Sequence, residues 1–291
     1  YIDDQKPGDS REIVNEIKTK VGKRKIGALS RFMYDRAMPE EMLAYICESF
    51  DIAADDLIVG GRYMNLQDLI KLPNPVGAAL VQTTPPPMRV PYLDETASIF
   101  RAVVRRDVLL YFPYQSFDYL LRFLMEASFD PEVEEIKITQ YRVAENSAVI
   151  NSLVSAAKNG KKVTVFVELK ARFDEENNVS TAERMEQAGI RIIYSIPGLK
   201  VHAKVAVILW KQGYADFAYL STGTCNEKTA RTSSDTALLT SHEGLIEDVK
   251  LLFSVLERRI ENPVFKHLLV ARSNLTPEFS PLLGLFVDTV V

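Results

Sequence analysis

The sequence predicts an α/β protein in which a mixed, mainly parallel sheet is flanked by helices and preceded by a smaller α+β segment. From about residue 107 onward, short apolar stretches alternate with amphipathic stretches in units of about 30 residues, which is the pattern of parallel strands joined by helical crossovers. Upstream, prolines crowd residues 72–91. Because proline interrupts both helices and strands, this segment predicts a linker between domains.

These observations divide the chain into three predicted parts. Residues 1–90 form a partial α+β domain that ends in the proline-rich linker, residues 91–270 form the α/β domain, and residues 271–291 start a following domain or link to it. The chain opens on YIDDQ without a methionine, which predicts a fragment of a longer protein.

The first part carries few clear elements. A polar helix is predicted from about Ser10. A second helix is predicted to begin at Pro39, because a proline followed by Glu40 and Glu41 suits a helix N-terminus. The stretch NLQDLIKL predicts another short helix.

The second part carries a regular succession of strands and helices. Strands are predicted at DVLLYF, EEIKITQY, KKVTVFVEL, IRIIYS, HAKVAVIL, FAYLST and DTALLT. Helices are predicted at SFDYLLRFLMEAS, at the segment that ends with Asn159 and Gly160, at STAERMEQAG and at LIEDVKLLFSVLERR. Ligands of such an open sheet gather at the carboxyl ends of its strands.

Composition narrows the class of protein. The chain of 291 residues is 47% apolar and 25% charged, as ordinary globular proteins are. A net charge of −4 argues against nucleic-acid binding through overall basicity, whereas a local basic pocket for a polyanion stays open. Cys47 and Cys225 are far apart and show no metal-ligand spacing, so we expect a reducing cytoplasm.

Two predicted strands lead to an arginine. Arg142 follows KITQY and Arg172 follows VFVELKA, and each opens the loop to the next helix. We expect both side chains in one crevice at the carboxyl edge of the sheet. The guanidinium fork suits phosphate, because it forms paired, charge-assisted hydrogen bonds. Two solvated loop arginines are the alternative interpretation.

A histidine and a lysine occur in the segment PGLKVHAK, after the strand IRIIYS. Side chains alternate along a strand, so His202 and Lys204 are expected on one face, an imidazole beside a positive charge. Further along, STGTCNEKTAR contains Gly223, which permits tight backbone geometry. Its hydrogen-bond donors are Thr224, Asn226, Lys228 and Arg231. This composition favours a phosphate-holding loop, and a polar turn is the alternative.

These motifs resemble those of a known family. H-x-K followed by a Gly-Thr-x-Asn loop is half of the signature of the phospholipase D-like fold, in which two such halves pack face to face and histidine is the nucleophile toward phosphorus. The stretches YRVA, ELKARFDEE, GLKVHAK and GTCNEKTAR are similar, in this order, to the first C-terminal domain of bacterial polyphosphate kinase. This resemblance covers residues 96–270, and residues 1–90 resemble the later part of that family's head domain.

The resemblance implies an ATP:polyphosphate phosphotransferase. His202 would take the γ-phosphoryl group of ATP as a phosphohistidine and pass it, reversibly, to the end of inorganic polyphosphate. Lys204 and Asn226 would neutralise the transferring group. Arg142 and Arg172 match the family's Mg²⁺-phosphate site. Because arginine has no lone pair for a metal, both would reach Mg²⁺ through bound phosphate.

The resemblance also implies further site residues and partners. Arg231 would bind phosphate, and Ser233 would lie at the nucleotide. The implied ligands are ATP or ADP, inorganic polyphosphate and Mg²⁺, and nucleic acid is not among the partners. The family forms homo-oligomers, the implied location is the cytoplasm, and peripheral membrane association is left open.

The chain departs from the family pattern at four points. Ser233 stands where the family has an aromatic residue that stacks on the nucleotide base, Phe112 replaces the histidine of a common HPY motif, and Thr224 replaces a frequent asparagine. The second histidine-bearing domain is expected to be missing. Two alternatives therefore stay open: a phospholipase D-type phosphodiesterase, which expects an aspartate where Leu209 stands, and a non-catalytic polyanion-binding module.

Overall fold

A computed structural model of the chain describes residues 31–62, 65–81, 85–143, 147–169, 175–194, 200–211, 215–223, 225–271 and 273–275, together with Thr19. The chain divides into two compact units, one formed by Thr19–Pro85 and the other by Pro86–Val291 with Tyr1–Lys18. The helix predicted from Ser10 lies outside the described residues, as does the end of the chain from residue 276 onward.

The first unit contains a small parallel sheet. Strand β1 (Phe32–Asp35) pairs in parallel with β2 (Leu57–Gly60), and helix α1 (Glu40–Phe50) connects them. Helix α1 starts after Pro39 with acidic residues in its first turn, as the sequence predicts. The predicted short helix at NLQDLIKL is a 3₁₀ helix over Leu66–Lys71, and further 3₁₀ turns cover Ala54–Asp56 and Gly77–Leu80.

The second unit contains a sheet of seven strands among its described residues. The strands are β3 (Val108–Phe112), β4 (Val133–Gln140), β5 (Lys162–Val167), β6 (Arg191–Tyr194), β7 (Lys204–Trp210), β8 (Phe217–Ser221) and β9 (Asp235–Thr240). The helices are α2 (Pro91–Asp94), α3 (Ile99–Arg105), α4 (Asp118–Phe129), α5 (Ala148–Lys158), α6 (Glu175–Gln187) and α7 (Glu243–Leu256). A large mixed sheet flanked by helices confirms the predicted fold class.

The prediction that this sheet is mainly parallel is wrong for its strand pairings. The strand order is β3-β9-β8-β7-β4-β5-β6. Only β4–β5 and β5–β6 pair in parallel, whereas the other four neighbouring pairs are antiparallel. Helices α5 and α6 return the chain between β4, β5 and β6. The described residues between β7, β8 and β9 include no α-helix, and such connections reverse the chain direction.

The sheet is covered on both faces. On one face, the Phe100 ring of α3 lies between Phe123 of α4 and Phe217 of β8, with ring centroids 5.1 Å and 4.7 Å apart. On the other face, apolar residues of α7 pack against Phe166, Val207 and other strand residues in one buried cluster. This alternation of side chains between two cores produces a three-layer α/β/α arrangement.

Helix ends in this unit follow the local sequence. The Ser147 hydroxyl accepts a hydrogen bond from the Ile150 N–H and caps the start of α5. The same helix ends at Asn159, and Gly160 adopts φ +82° in the turn to β5. None of the helices in the described ranges has the length and apolarity needed to cross a lipid bilayer.

Candidate active site

His202 lies directly before β7, in a segment that is anchored on both sides. The backbone N–H of Val201 donates to Oε2 of Glu168, a buried carboxylate at the end of β5 (2.8 Å). The Thr139 hydroxyl on β4 donates to the carbonyl of Ala203 (2.7 Å). The residues before and after His202 are thus fixed to two neighbouring strands, while its own side chain is exposed.

The antiparallel pairing of β4 with β7 places Arg142 and His202 at the same edge of the sheet. Strands β4 and β7 pair Ile138 with Ala206 in antiparallel register. Arg142 lies two residues after the end of β4, and His202 lies two residues before the start of β7. The positive charge of Arg142 lowers the pKa of the His202 imidazole, which agrees with their position at one edge.

The surroundings of His202 favour the neutral form of its imidazole. Partial burial lowers its pKa, and the positive charges of Lys204, Lys200 and Arg142 lower it further, in that order. A neutral imidazole retains a nitrogen lone pair for attack on phosphorus. Three cations around one exposed ring also form an attractive environment for an anion.

Lys204 is the first residue of β7 and is buried. Burial lowers the pKa of its ammonium group to about 8. Cys225 and Asp235 raise that pKa, and the Arg142 charge opposes them. This lysine keeps its charge at pH 7 and loses it in mildly alkaline solution.

The ring of Tyr141 contacts all three functional groups. It meets the His202 imidazole edge to face at 4.6 Å between ring centroids. The Nζ atom of Lys204 lies 5.0 Å from the centre of the same ring, and the guanidinium carbon of Arg142 lies 5.9 Å from it. Both cations are within the range of cation–π attraction.

The loop after β8 approaches the same edge of the sheet. Asn226 is buried; its Oδ1 accepts from the N–H groups of Lys228 and Thr229 (3.0 and 3.1 Å), and its Nδ2 points to the Arg142 carbonyl (3.4 Å). The contacts that this amide makes within the chain are therefore to backbone groups. They hold the loop against the Arg142 segment.

Gly223 permits a close approach within this loop. A Cβ atom on this residue would lie 2.2 Å from Cγ of Asp235, at the start of β9. Glycine is needed here because the Asp235 carboxylate lies against the backbone of the loop, where a side chain would collide with it. The same carboxylate is near the Lys204 ammonium group.

The remaining predicted residues differ in how far the structure describes them. Arg172 and Thr224 lie outside the described residues. Arg231 is exposed at the end of a 3₁₀ turn, and Ser233 follows it, its N–H donating to the Thr229 carbonyl. Their proposed roles toward phosphate and nucleotide stay predictions, as do the catalytic roles of the residues described above.

Several residues of this arrangement escaped the sequence analysis. They are Thr139, Tyr141, Glu168 and Asp235. In sequence, Thr139 and Tyr141 look like ordinary members of a strand, and Glu168 is one acidic residue among many. Their importance comes from contacts between segments far apart in the chain, and no local pattern reports such contacts.

The described residues include no group of three or more His, Cys, Asp or Glu side chains that could hold a metal ion. The cationic side chains at the site cannot ligate Mg²⁺ either, because lysine and arginine at neutral pH lack a free lone pair. The expectation that Mg²⁺ reaches this site on bound phosphate stays a prediction.

Comparison with protein families identifies the chain. A model of the polyphosphate kinase C-terminal domain 1 matches residues 98–262, and a model of the polyphosphate kinase middle domain matches residues 4–72. The chain belongs to the polyphosphate kinase family. The proline-rich residues 73–97 lie between the two matched segments.

Individual polyphosphate kinases agree with this assignment. The chain is 42% identical over 257 residues to the polyphosphate kinase of Vibrio vulnificus (strain YJ016), and this match covers 87% of the chain and 37% of the relative. It is 44% identical over 249 residues to that of Escherichia coli (strain K12), covering 84% and 36%. The crystal structure of Porphyromonas gingivalis polyphosphate kinase superposes with a TM-score of 0.77 at 48% identity, covering 89% of this chain and 40% of that one. The chain spans well under half the length of each of these polyphosphate kinases.

Proposed function

We propose that this chain forms the phosphohistidine-bearing half of an ATP:polyphosphate phosphotransferase. The observation that carries the proposal is an exposed imidazole, His202, whose pKa is lowered by burial and by the charges of Lys204, Lys200 and Arg142. A neutral nucleophile surrounded by fixed cations suits attack on a phosphate chain, since the reaction needs a lone pair and neutralised charge together.

The first step is attack of an imidazole nitrogen on the γ-phosphorus of ATP. A nitrogen–phosphorus bond forms while the bond from phosphorus to the bridging β,γ-oxygen breaks, and ADP leaves with that electron pair. In the second step, a terminal oxygen of polyphosphate attacks the phosphohistidine and the imidazole leaves. Because each step exchanges one phosphate bond for another, the sequence runs in both directions.

Arg142 and Lys204 stabilise the charge that moves during these steps. Little covalent work is left to the protein in phosphoryl transfer beyond positioning and charge stabilisation. The guanidinium fork of Arg142 binds two phosphate oxygens. Lys204 supplies a positive charge close to His202. Mg²⁺ accompanies ATP as an ion on its phosphate oxygens, and Arg172 is proposed to bind the same phosphates.

The proposal extends to the remaining predicted contacts. Arg231 and Asn226 complete the phosphate site, and Ser233 contacts the nucleotide without a stacking ring. The substrates are ATP or ADP and inorganic polyphosphate, the protein works in the cytoplasm, and copies of it assemble as homo-oligomers. We also propose the domain limits predicted from the sequence, namely residues 1–90, 91–270 and 271–291.

Covalent labelling tests the proposed function. The protein, at the full length of its relatives, is incubated with γ-labelled ATP and Mg²⁺, and the label on the chain is then tested for lability in acid and stability in base. His202→Ala is expected to abolish that label. His267→Ala is the matched control, because His267 is also exposed and packs against His242 instead of the site.

A second assay separates the phosphotransferase from a phospholipase D-type diesterase. A phospholipase D-type diesterase is expected to have an aspartate where this chain has Leu209. Leu209 is instead a partly buried residue of β7 that packs against the apolar core. We therefore expect no hydrolysis of bis-p-nitrophenyl phosphate in the absence of nucleotide. Hydrolysis that depends on His202, without a label from ATP, would replace the proposed function by diester cleavage.

A further inference from the structure

We propose that Asn178 is a positioning residue that aims the Arg142 side chain at phosphate, an inference that rests on the proposed phosphotransferase. Asn178 lies on α6 and is fully buried. Among the described residues, its hydrogen bonds go to backbone groups. Its effect on phosphate would be exerted through the backbone that carries Arg142.

The side chain of Asn178 forms hydrogen bonds to backbone groups through both its nitrogen and its oxygen. Its Nδ2 donates to the carbonyls of Tyr141 (2.8 Å) and Glu168 (3.0 Å), and its Oδ1 accepts from the N–H of Val143 (3.3 Å). Both donor hydrogens of the amide and one acceptor position are therefore used. Such a network is specific to an amide, because no other neutral side chain of this size offers two donors and an acceptor.

These contacts bracket Arg142. The carbonyl of Tyr141 belongs to the peptide plane before Arg142, and the N–H of Val143 belongs to the plane after it. One side chain thus holds both peptide planes that meet at the Arg142 Cα. Since two fixed peptide planes set φ and ψ, they also set the direction in which the Arg142 side chain leaves the backbone.

The third contact ties Arg142 to the His202 segment. The Glu168 carbonyl accepts from Asn178, and the Glu168 carboxylate accepts from the N–H of Val201, next to His202. A continuous set of hydrogen bonds therefore connects the backbone under the arginine to the backbone under the imidazole. Through Glu168, the loop that carries Arg142 and the segment that carries His202 are held to the same residue.

Asn177, the residue before Asn178, adds one hydrogen bond to the same loop. Its Nδ2 donates to the Val143 carbonyl (2.7 Å), and its side chain is only partly buried. Two successive asparagines of α6 therefore hold the peptide group on both sides of Val143. This concentration on the residues around Arg142 favours positioning over general stabilisation of the helix.

A double-mutant cycle tests the inference in the full-length protein. The rate of label transfer from γ-labelled ATP to His202, as kcat/KM, is measured for Arg142→Ala, Asn178→Ala and the double variant. We expect each single change to lower kcat/KM by about 10-fold or more, and the double variant to fall within about 2-fold of Arg142→Ala. Such non-additivity means that Asn178 acts through Arg142.

Two further variants keep the test decisive. Leu120→Ala removes a fully buried apolar side chain of another helix, α4, and its effect should multiply with that of Arg142→Ala, as loss of stability alone would. Asn177→Ala repeats the cycle with a partly exposed residue in case Asn178→Ala fails to fold, and a smaller non-additive loss is expected.

The outcomes distinguish the inference from the function on which it rests. Independent, multiplicative effects of Asn178 and Arg142 on a protein that labels His202 would overturn the positioning role alone. No label on His202 in the unmodified protein would overturn the phosphotransferase, and the positioning role with it.

Discussion

The ring of Tyr141 meets the imidazole of His202 edge to face, with centroids 4.6 Å apart and planes inclined at 78°. The edge of one ring against the face of another is a favoured aromatic geometry. It restricts rotation of the imidazole in an otherwise exposed position. The same tyrosine ring lies near the Lys204 ammonium group, so one side chain contacts both the proposed nucleophile and its neighbouring cation.

Removing that ring should slow formation of the phosphohistidine. Tyr141→Leu loses both contacts, and we expect the rate constant for labelling to fall by about 2- to 10-fold, because such aromatic pairs contribute about 0.5–1.5 kcal/mol. Tyr141→Phe keeps the ring and should stay close to the unmodified protein. Rapid-quench labelling measures the rate, and equal losses in both variants would argue against orientation by the ring.

The pKa of the His202 imidazole should respond to its neighbours in a graded way. Burial, then Lys204, then Lys200 lower that pKa, so removal of either lysine charge should raise it. We expect Lys204→Gln to raise the pKa more than Lys200→Gln does. Titration of the ring protons by NMR gives the values directly, and the reverse order would show that Lys204 does not dominate the local field.

Much of this fold could be predicted from local pattern. Strands β4 and β5 are apolar runs, helix α5 is bounded by Ser147 and Gly160, and Pro39 starts α1. The antiparallel half of the sheet could not be predicted in the same way. Apolar runs identify strands, whereas pairing depends on how the intervening chain returns. The predicted parallel order carries the strand–helix alternation of β4–β6 on to β7–β9, where the connecting sequences have no helical pattern and the chain reverses direction.

The site was predictable in the polar residues that stand next to strand ends or in a glycine-containing loop. His202, Arg142 and Asn226 stand out in this way, and the pairing of β4 with β7 places the first two at the same edge of the sheet. Asn178 could not be found in this way, because its role depends on three backbone groups from two other segments. Contacts of this kind require the three-dimensional arrangement.

The charge of Lys204 should limit activity in alkaline solution. Burial lowers its pKa to about 8, so the protonated fraction falls as pH rises through that value. We expect kcat/KM for ATP to decline above about pH 8, since phosphate binding loses a cation. The pH profile of the full-length protein measures this limb.

Lys204→Arg is the matched variant for this prediction. Arginine keeps its charge throughout the same range, so the decline near pH 8 should disappear even if the maximal rate is lower. A decline that persists unchanged in Lys204→Arg would assign the alkaline limb to another group.

The Thr139 hydroxyl should be needed for both stability and rate. Thr139→Val leaves the Ala203 carbonyl and the Val205 N–H without that partner, and we expect the free energy of unfolding to fall by about 1–3 kcal/mol. Labelling of His202 should also slow, because Ala203 is its neighbour. Thr164→Val, at another buried threonine on β5, is the control; equal labelling rates in the two variants would contradict the anchoring role.

Gly223→Ala should act on the site through Asp235. The new Cβ would lie 2.2 Å from the Asp235 Cγ, so the carboxylate has to move away from the loop. Because the Asp235 charge raises the pKa of Lys204, its displacement should lower that pKa and shift the alkaline decline of kcat/KM to lower pH. Asp235→Asn should produce the same shift without a steric clash. Gly61→Ala, where a Cβ meets nothing within 4 Å, should leave the profile unchanged, and a Gly223→Ala profile that coincides with it would mean that Asp235 does not set the charge of Lys204.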